Sequence, residues 1–192
     1  MICYHSRQYL SGEDDMSRAL VASLAVVMVL VLGAAADASA QAAASGLVTT
    51  QKLSAALANE LVGESVKACA QKGYTVTAVV VDLDGVRQAV LRGDGAPIHT
   101  LDNAFYKAYS SASLTLARRE NSTKEVADRM GKNAPSTVPQ TPLPNVTYAV
   151  GGVAIKAGES TIGGIGVSGA PGGQFDEECA RVALAKIKDR MK

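Results

Sequence analysis

The sequence predicts an α+β domain in which helices pack on an antiparallel sheet of about five strands. Three observations carry that expectation. The β-rich runs come in pairs joined by short glycine turns, the pattern of hairpins rather than of parallel crossovers. Amphipathic helical runs flank those pairs instead of alternating with single strands. The region holding them all, about Thr50 to Lys192 of a 192-residue chain, has the length of one domain.

Met16-Ser-Arg-Ala opens a run without a charge from Ala19 to Ala36, and Ala38-Ser39-Ala40 closes it with an A-x-A pattern. A short basic start, an apolar middle and small residues at the cleavage positions predict a secretory signal peptide over 1–40. An uncleaved anchor, which the length of the run permits, lacks a basic flank after Ala40. The acidic Glu13-Asp14-Asp15 is the wrong charge for the start of such a signal, so Met16 is read as the true first residue. Residues 41–49 are a small-residue linker and 50–192 the folded domain, with no membrane contact after cleavage.

Thr50–Lys72 places Leu53, Leu57, Leu61, Val62, Val66 and Cys69 on one helical face, with Thr49 or Thr50 as cap and Gly73 as stop. YTVTAVVVD and VRQAVLR, joined across Asp84-Gly85, make the first hairpin. Gly93–Pro97 breaks it, and Leu101–Leu116 is helical, with Phe105 and Tyr109 toward the core. Ser122-x-x-Glu125 is a capping box that opens a short helix through Met130. Residues 131–146, rich in proline, are irregular. VTYAVGGVAIK and TIGGIGVSG form the second hairpin. After GAPGG, Phe175–Met191 is the last helix, with Cys179, Ala180, Ala183 and Ile187 inward.

Composition excludes several classes of function. Removing residues 1–40 raises the formal charge only from +1 to +3, and no basic stripe is interleaved with aromatics, so nucleic acid is not a partner. The domain keeps one histidine, His99, and two cysteines, Cys69 and Cys179. A multi-histidine metal site and a Ser-His-Asp or Cys-His-Asn constellation are therefore absent. No self-contained catalytic constellation is written in the chain, which favours a binding protein over an enzyme. Cys69 and Cys179 lie in apolar stripes and are read as two free buried thiols, the behaviour of small hydrophobes. A bridge between them would need Cα atoms within about 7 Å.

Gly164-Ile-Gly166-Val-Ser-Gly169 matches G-x-G-x-x-G, the fingerprint of a dinucleotide-binding turn. Such a turn needs a second parallel strand carrying an acid about 20 residues on. Only one helix fits between Gly169 and the last residue given, and its first turn already carries Asp176, Glu177 and Glu178, which complement the helix dipole and repel phosphate. Gly164 and Gly166 instead lie within a strand. There a missing side chain serves a bulge, a tight helix crossing, or the close approach of a flat ligand.

Three stretches together resemble the GlcG/HbpS-like family, also met as the C-terminal domain of PduO-type proteins. They are VVVDLDGVRQAVLRGDGAP, Ala104-Phe-Tyr-Lys107-Ala108, and VGGVAIKAGESTIGGIGVSGAPGGQFDEECARVAL, in that order. The resemblance implies a profilin-like layered architecture, assembly into homo-oligomers, and haem or a related tetrapyrrole as ligand and cofactor. It also implies a secreted or periplasmic protein with a role in haem handling or redox sensing. The alternative it carries is a haem-degrading or other small-molecule enzyme. On that reading His99 is the candidate iron ligand, because it is the imidazole the domain retains. Tyr106 would stack on or ligate the ring, and Lys107 would pair with a propionate. A core tyrosine and a structural pair of Lys107 with a carboxylate such as Asp94 are the competing readings. Met130 is either a soft ligand or surface packing.

Overall fold

In a computed structural model, the described residues are 46–133 and 142–191. The signal peptide and the start at Met16 lie outside them, as do residues 134–141 of the proline-rich stretch. The elements are α1 (Ala55–Ala70), β1 (Thr77–Asp82), β2 (Arg87–Arg92), α2 (Thr100–Leu114), α3 (Thr123–Asn133), β3 (Gly152–Ala157), β4 (Ser160–Ser168) and α4 (Gly173–Ile187). Short 3-10 turns follow α2 at Leu116–Arg118 and α4 at Lys188–Arg190.

One sheet, in the order β2-β1-β4-β3, is antiparallel throughout. It has four strands among the described residues, not about five. The VTYAVGG run does not extend the ladder, because the Thr147 N–H is drawn to Ser110 Oγ (2.8 Å) and Gly151 turns the chain at φ +125°. Both hairpins form as the glycine turns predict. At the first, Gly85 adopts φ +77°, and the Asp82 carboxylate accepts from the N–H groups of Asp84 and Val86, each at 3.0 Å.

α1 starts later than its apolar pattern does, whereas α2 and α4 start one and two residues earlier than theirs. α1 is capped by Ser54, whose hydroxyl accepts from the Leu57 N–H at 3.2 Å, and not by Thr49 or Thr50. The capping box of α3 is offset by one residue. Ser122 Oγ receives the Glu125 N–H (3.4 Å), but the Glu125 carboxylate returns to the Asn121 N–H (2.8 Å).

Each face of the sheet is covered by a different kind of layer. On one face α1 and α4 close an apolar core over Ala78, Val80, Ile155, Ile165 and Val167. On the other, α2 sets Ala104, Phe105, Ala108 and Ala112 against Val79 and Val81. β1 is buried on both sides, which explains its unbroken apolar run.

The first core corrects the reading of the cysteines. α1 and α4 lie side by side and bring the Cα atoms of Cys69 and Cys179 to 5.4 Å, and the two residues form a disulfide rather than two free thiols. No described helix is long and apolar enough to cross a membrane.

Candidate functional site

The glycines of β4 shape the site by bringing α2 down onto the sheet. A Cβ on Gly164 would lie 2.3 Å from the Ala108 carbonyl oxygen, and one on Gly166 only 2.0 Å from that of Ala104. Gly152, opposite Gly166 in the ladder, would place its Cβ 2.3 Å from the Lys107 carbonyl oxygen. Backbone therefore rests on backbone. The space above Gly164 and Gly166 is occupied by α2, so of the three uses open to these glycines the fold employs the tight helix crossing.

Close approach of α2 carries its polar residues into contact with the sheet and loops. Thr100 Oγ1 shares a hydrogen bond of 2.7 Å with Thr77 Oγ1 and donates to the Pro97 carbonyl at 2.6 Å. Asn103 Nδ2 donates to Ser168 Oγ at 2.9 Å. Lys107 Nζ donates to the Val167 carbonyl (3.0 Å) and to Asp176 Oδ2 (2.8 Å). Ser111 Oγ reaches the Val153 carbonyl at 3.2 Å.

A cleft of about 390 Å³ opens where this seam meets the end of β4 and the start of α4. His99, Asn103 and Lys107 line it from the side of α2, and Ser168, the 169–173 turn and Asp176 from the other. Its size lies within the range of small-molecule sites, about 300–1,000 Å³. A second hollow of about 420 Å³, between Lys52, Ser54, Ile162 and Met191, contains none of the predicted site residues.

The Lys107–Asp176 pair forms the cleft floor, with side chains only 4% and 3% exposed. Burial pushes the Asp176 carboxyl above the usual aspartate range; the Lys107 charge and hydrogen bond, and the Ala170 N–H, pull the other way without cancelling it. The carboxylate next in sequence, Glu177, is also buried. Its Oε1 accepts twice from Arg181, while Oε2 has no hydrogen-bond partner.

The predicted residues separate on this geometry. His99 and Lys107 come together in the cleft. His99 is exposed at the N-cap position of α2 and makes no capping bond, which leaves the imidazole available. Lys107 has Asp176 as its carboxylate, not Asp94, which is exposed in the Gly93–Gly95 turn. Tyr106 does not line the cleft; it is 37% exposed on α2, with its ring 5.8 Å from that of Phe105. Tyr109 packs edge-on against Phe105. Met130 is buried, with its sulfur 3.4 Å from the Arg129 guanidinium. No group of three or more His, Cys, Asp or Glu side chains that could hold a metal ion occurs among the described residues.

Asn103, Ser168 and Asp176 are site residues that sequence reasoning missed. Asn103 had a signal, one helical turn before Lys107 on the same face. Ser168 had none, and Asp176 was legible only as a carboxylate complementing the helix dipole, since each meets α2 only through the tertiary fold.

The arrangement is a two-sided α+β scaffold whose polar cleft, lined by one imidazole, has the volume of a small-molecule site. The HbpS-like family model, described as haem degrading protein HbpS-like, matches residues 53–185, and the chain belongs to that family. Among solved structures it is similar to HbpS, at 30% identity and TM-score 0.65 over 74% of this chain and 94% of that one. A double mutant of Streptomyces reticuli HbpS gives 29% identity and TM-score 0.65, covering 74% and 92%. A PduOC:haem complex is 25% identical with TM-score 0.60, covering 70% of this chain and 94% of that chain. No curated protein matches.

The donor set fits haem in part. His99 offers an accessible nitrogen, and its chain neighbour Ile98, 70% exposed, adds apolar surface beside it. The cation does not fit as expected, because Lys107 is buried and already engaged by Asp176.

Proposed function

We propose that this protein binds haem or a related tetrapyrrole at the His99 cleft, in the periplasm or outside the cell, as a homo-oligomer. The observation that carries the reading is the free imidazole at the mouth of a cleft, in a chain whose relatives include a haem complex. When bound, the haem iron supplies the redox chemistry, and the protein contributes binding and orientation. His99 is the residue that would hold the iron. Asn103 and Ser168 line the same cleft and offer hydrogen bonds to a polar edge. An oxidising compartment is supported by the Cys69–Cys179 bridge, since such bonds persist outside the cytosol. Assembly is supported by Val86, Val90, Ile98 and Tyr106, large apolar side chains left exposed around β2 and α2.

Titration of the mature protein with hemin tests the reading. A saturable Soret band that shifts or disappears in His99→Ala supports it; no band, or an unchanged spectrum in the variant, removes His99 from the site. The family's description as haem-degrading favours a second reading, separated by adding reductant and oxygen. Decay of the band into open-chain tetrapyrrole absorption marks the enzyme, and a persistent band marks the binding protein.

A further inference from the structure

We infer that Lys107 and Asp176 are a positioning pair that sets the cleft wall facing His99, and that Lys107 does not itself contact the ligand's carboxylates. The inference rests on the reading that the His99 cleft is the ligand site.

Three observations carry it. The first is that both charges are spent inside the protein. Lys107 Nζ is held by Asp176 Oδ2 and the Val167 carbonyl, while Asp176 Oδ1 accepts the Ala170 N–H at 3.0 Å. The second is where those bonds lead. They tie α2 to the last residues of β4, to the turn after it and to the first turn of α4, the segments that form the cleft wall opposite His99. The third is that the surrounding backbone is cut to fit the pair. Gly151 sits at φ +125°, and a Cβ there would lie 2.8 Å from Lys107 Nζ and 3.0 Å from Asp176 Cβ. A Cβ on Gly166 would lie 3.0 Å from that of Lys107. Lys107 is thus buried with its ammonium engaged on two sides, and a larger residue at Gly151 or Gly166 would crowd the pair.

The pair thus acts through the 169–173 turn. Losing it loosens the wall and weakens every ligand of the cleft alike, whereas losing a direct propionate contact would weaken only ligands that carry free carboxylates.

The test compares wild type with Lys107→Met/Asp176→Leu, which removes both charges together and avoids stranding one in the interior. In the unliganded proteins, amide exchange at Ala170 should quicken about tenfold or more, the scale of a lost charge-assisted hydrogen bond. Amides of α1 should not change. Hemin and hemin dimethyl ester should then lose affinity by the same factor. An unchanged Ala170 amide overturns the proposal, and so does a loss of hemin affinity that the ester does not share. If wild type binds neither porphyrin, the haem reading falls, while the exchange experiment still decides the positioning role.

Discussion

The two faces of the sheet are built on opposite principles. Under α1 and α4 the contacts are apolar side chains and one disulfide, and the helices stand off from the sheet at the distance those side chains set. Under α2 the apolar contact is confined to Val79 and Val81 of β1, while over β4 the strand is glycine, the helix contributes alanine and serine, and the layer is closed by hydrogen bonds and a buried ion pair. The first arrangement carries stability through buried apolar area. The second fixes position, because a polar contact that moves loses its partner and leaves a desolvated group behind. The candidate cleft lies at the end of the second layer, where a defined geometry matters.

The sharpest break in this comparison is to cut the apolar side's staple. Replacing Cys69 and Cys179 by serine should lower stability by about 4–5 kcal/mol, given the 110-residue separation of the bridge. Urea unfolding measures this, and a loss below about 1 kcal/mol would mean that the bridge does not staple the layer. On the other face, Gly166→Ala should cost about 1–3 kcal/mol or more, since the new methyl meets the Ala104 carbonyl and no flexible side chain can yield.

The ion pair gives the comparison a pH dependence. Burial raises the folded-state pKa of Asp176 above its unfolded value, so the folded chain binds that proton more tightly. The group's contribution is then fully present below the unfolded pKa and is lost as pH rises through the raised folded value. Lys107→Met/Asp176→Leu should therefore gain on wild type as pH rises through that window. A carbon-13 titration placing the Asp176 midpoint at or below the ordinary value of about 3.9 would contradict this.

Glycine on the apolar side should behave in the opposite way. Gly63, within α1, has open space where a Cβ would go, so Gly63→Ala should stabilise by about 0.5–1 kcal/mol. The smallest effect belongs to His99→Ala. Its side chain is exposed and caps nothing, so unfolding should shift by no more than about 0.5 kcal/mol. A larger loss would make His99 a structural residue.

Much of the fold was legible because its signals are local. Asp84-Gly85 names a hairpin, and the spacing of Leu57, Leu61 and Val62 names a helix face. GIGVSG is not a phosphate turn: residues 164–168 lie within the antiparallel strand β4, and the helix after it opens on an acidic turn. The differences have local causes too. An apolar stripe continues past a helix start, so the pattern begins α1 at Thr50 although Ser54 caps it. VTYAVGG has strand composition, but a serine from α2 claims its backbone. Of the candidate site, His99 and Lys107 could be named from the chain, whereas the partner of Lys107 could not. Asp176 lies 69 residues away in a helix N-terminus that already explains its charge.

Periodicity, turn glycines and composition act over a few residues, so the chain alone specifies its helices and hairpins, its family and the residue types available for chemistry. That Cys69 meets Cys179, that the glycines of β4 serve α2, and that Lys107 is answered by Asp176 emerges only once the layers are assembled. Each of these depends on which helix lies over which strand and how closely. That distance is set by the packing of whole layers, which no local stretch of the chain encodes.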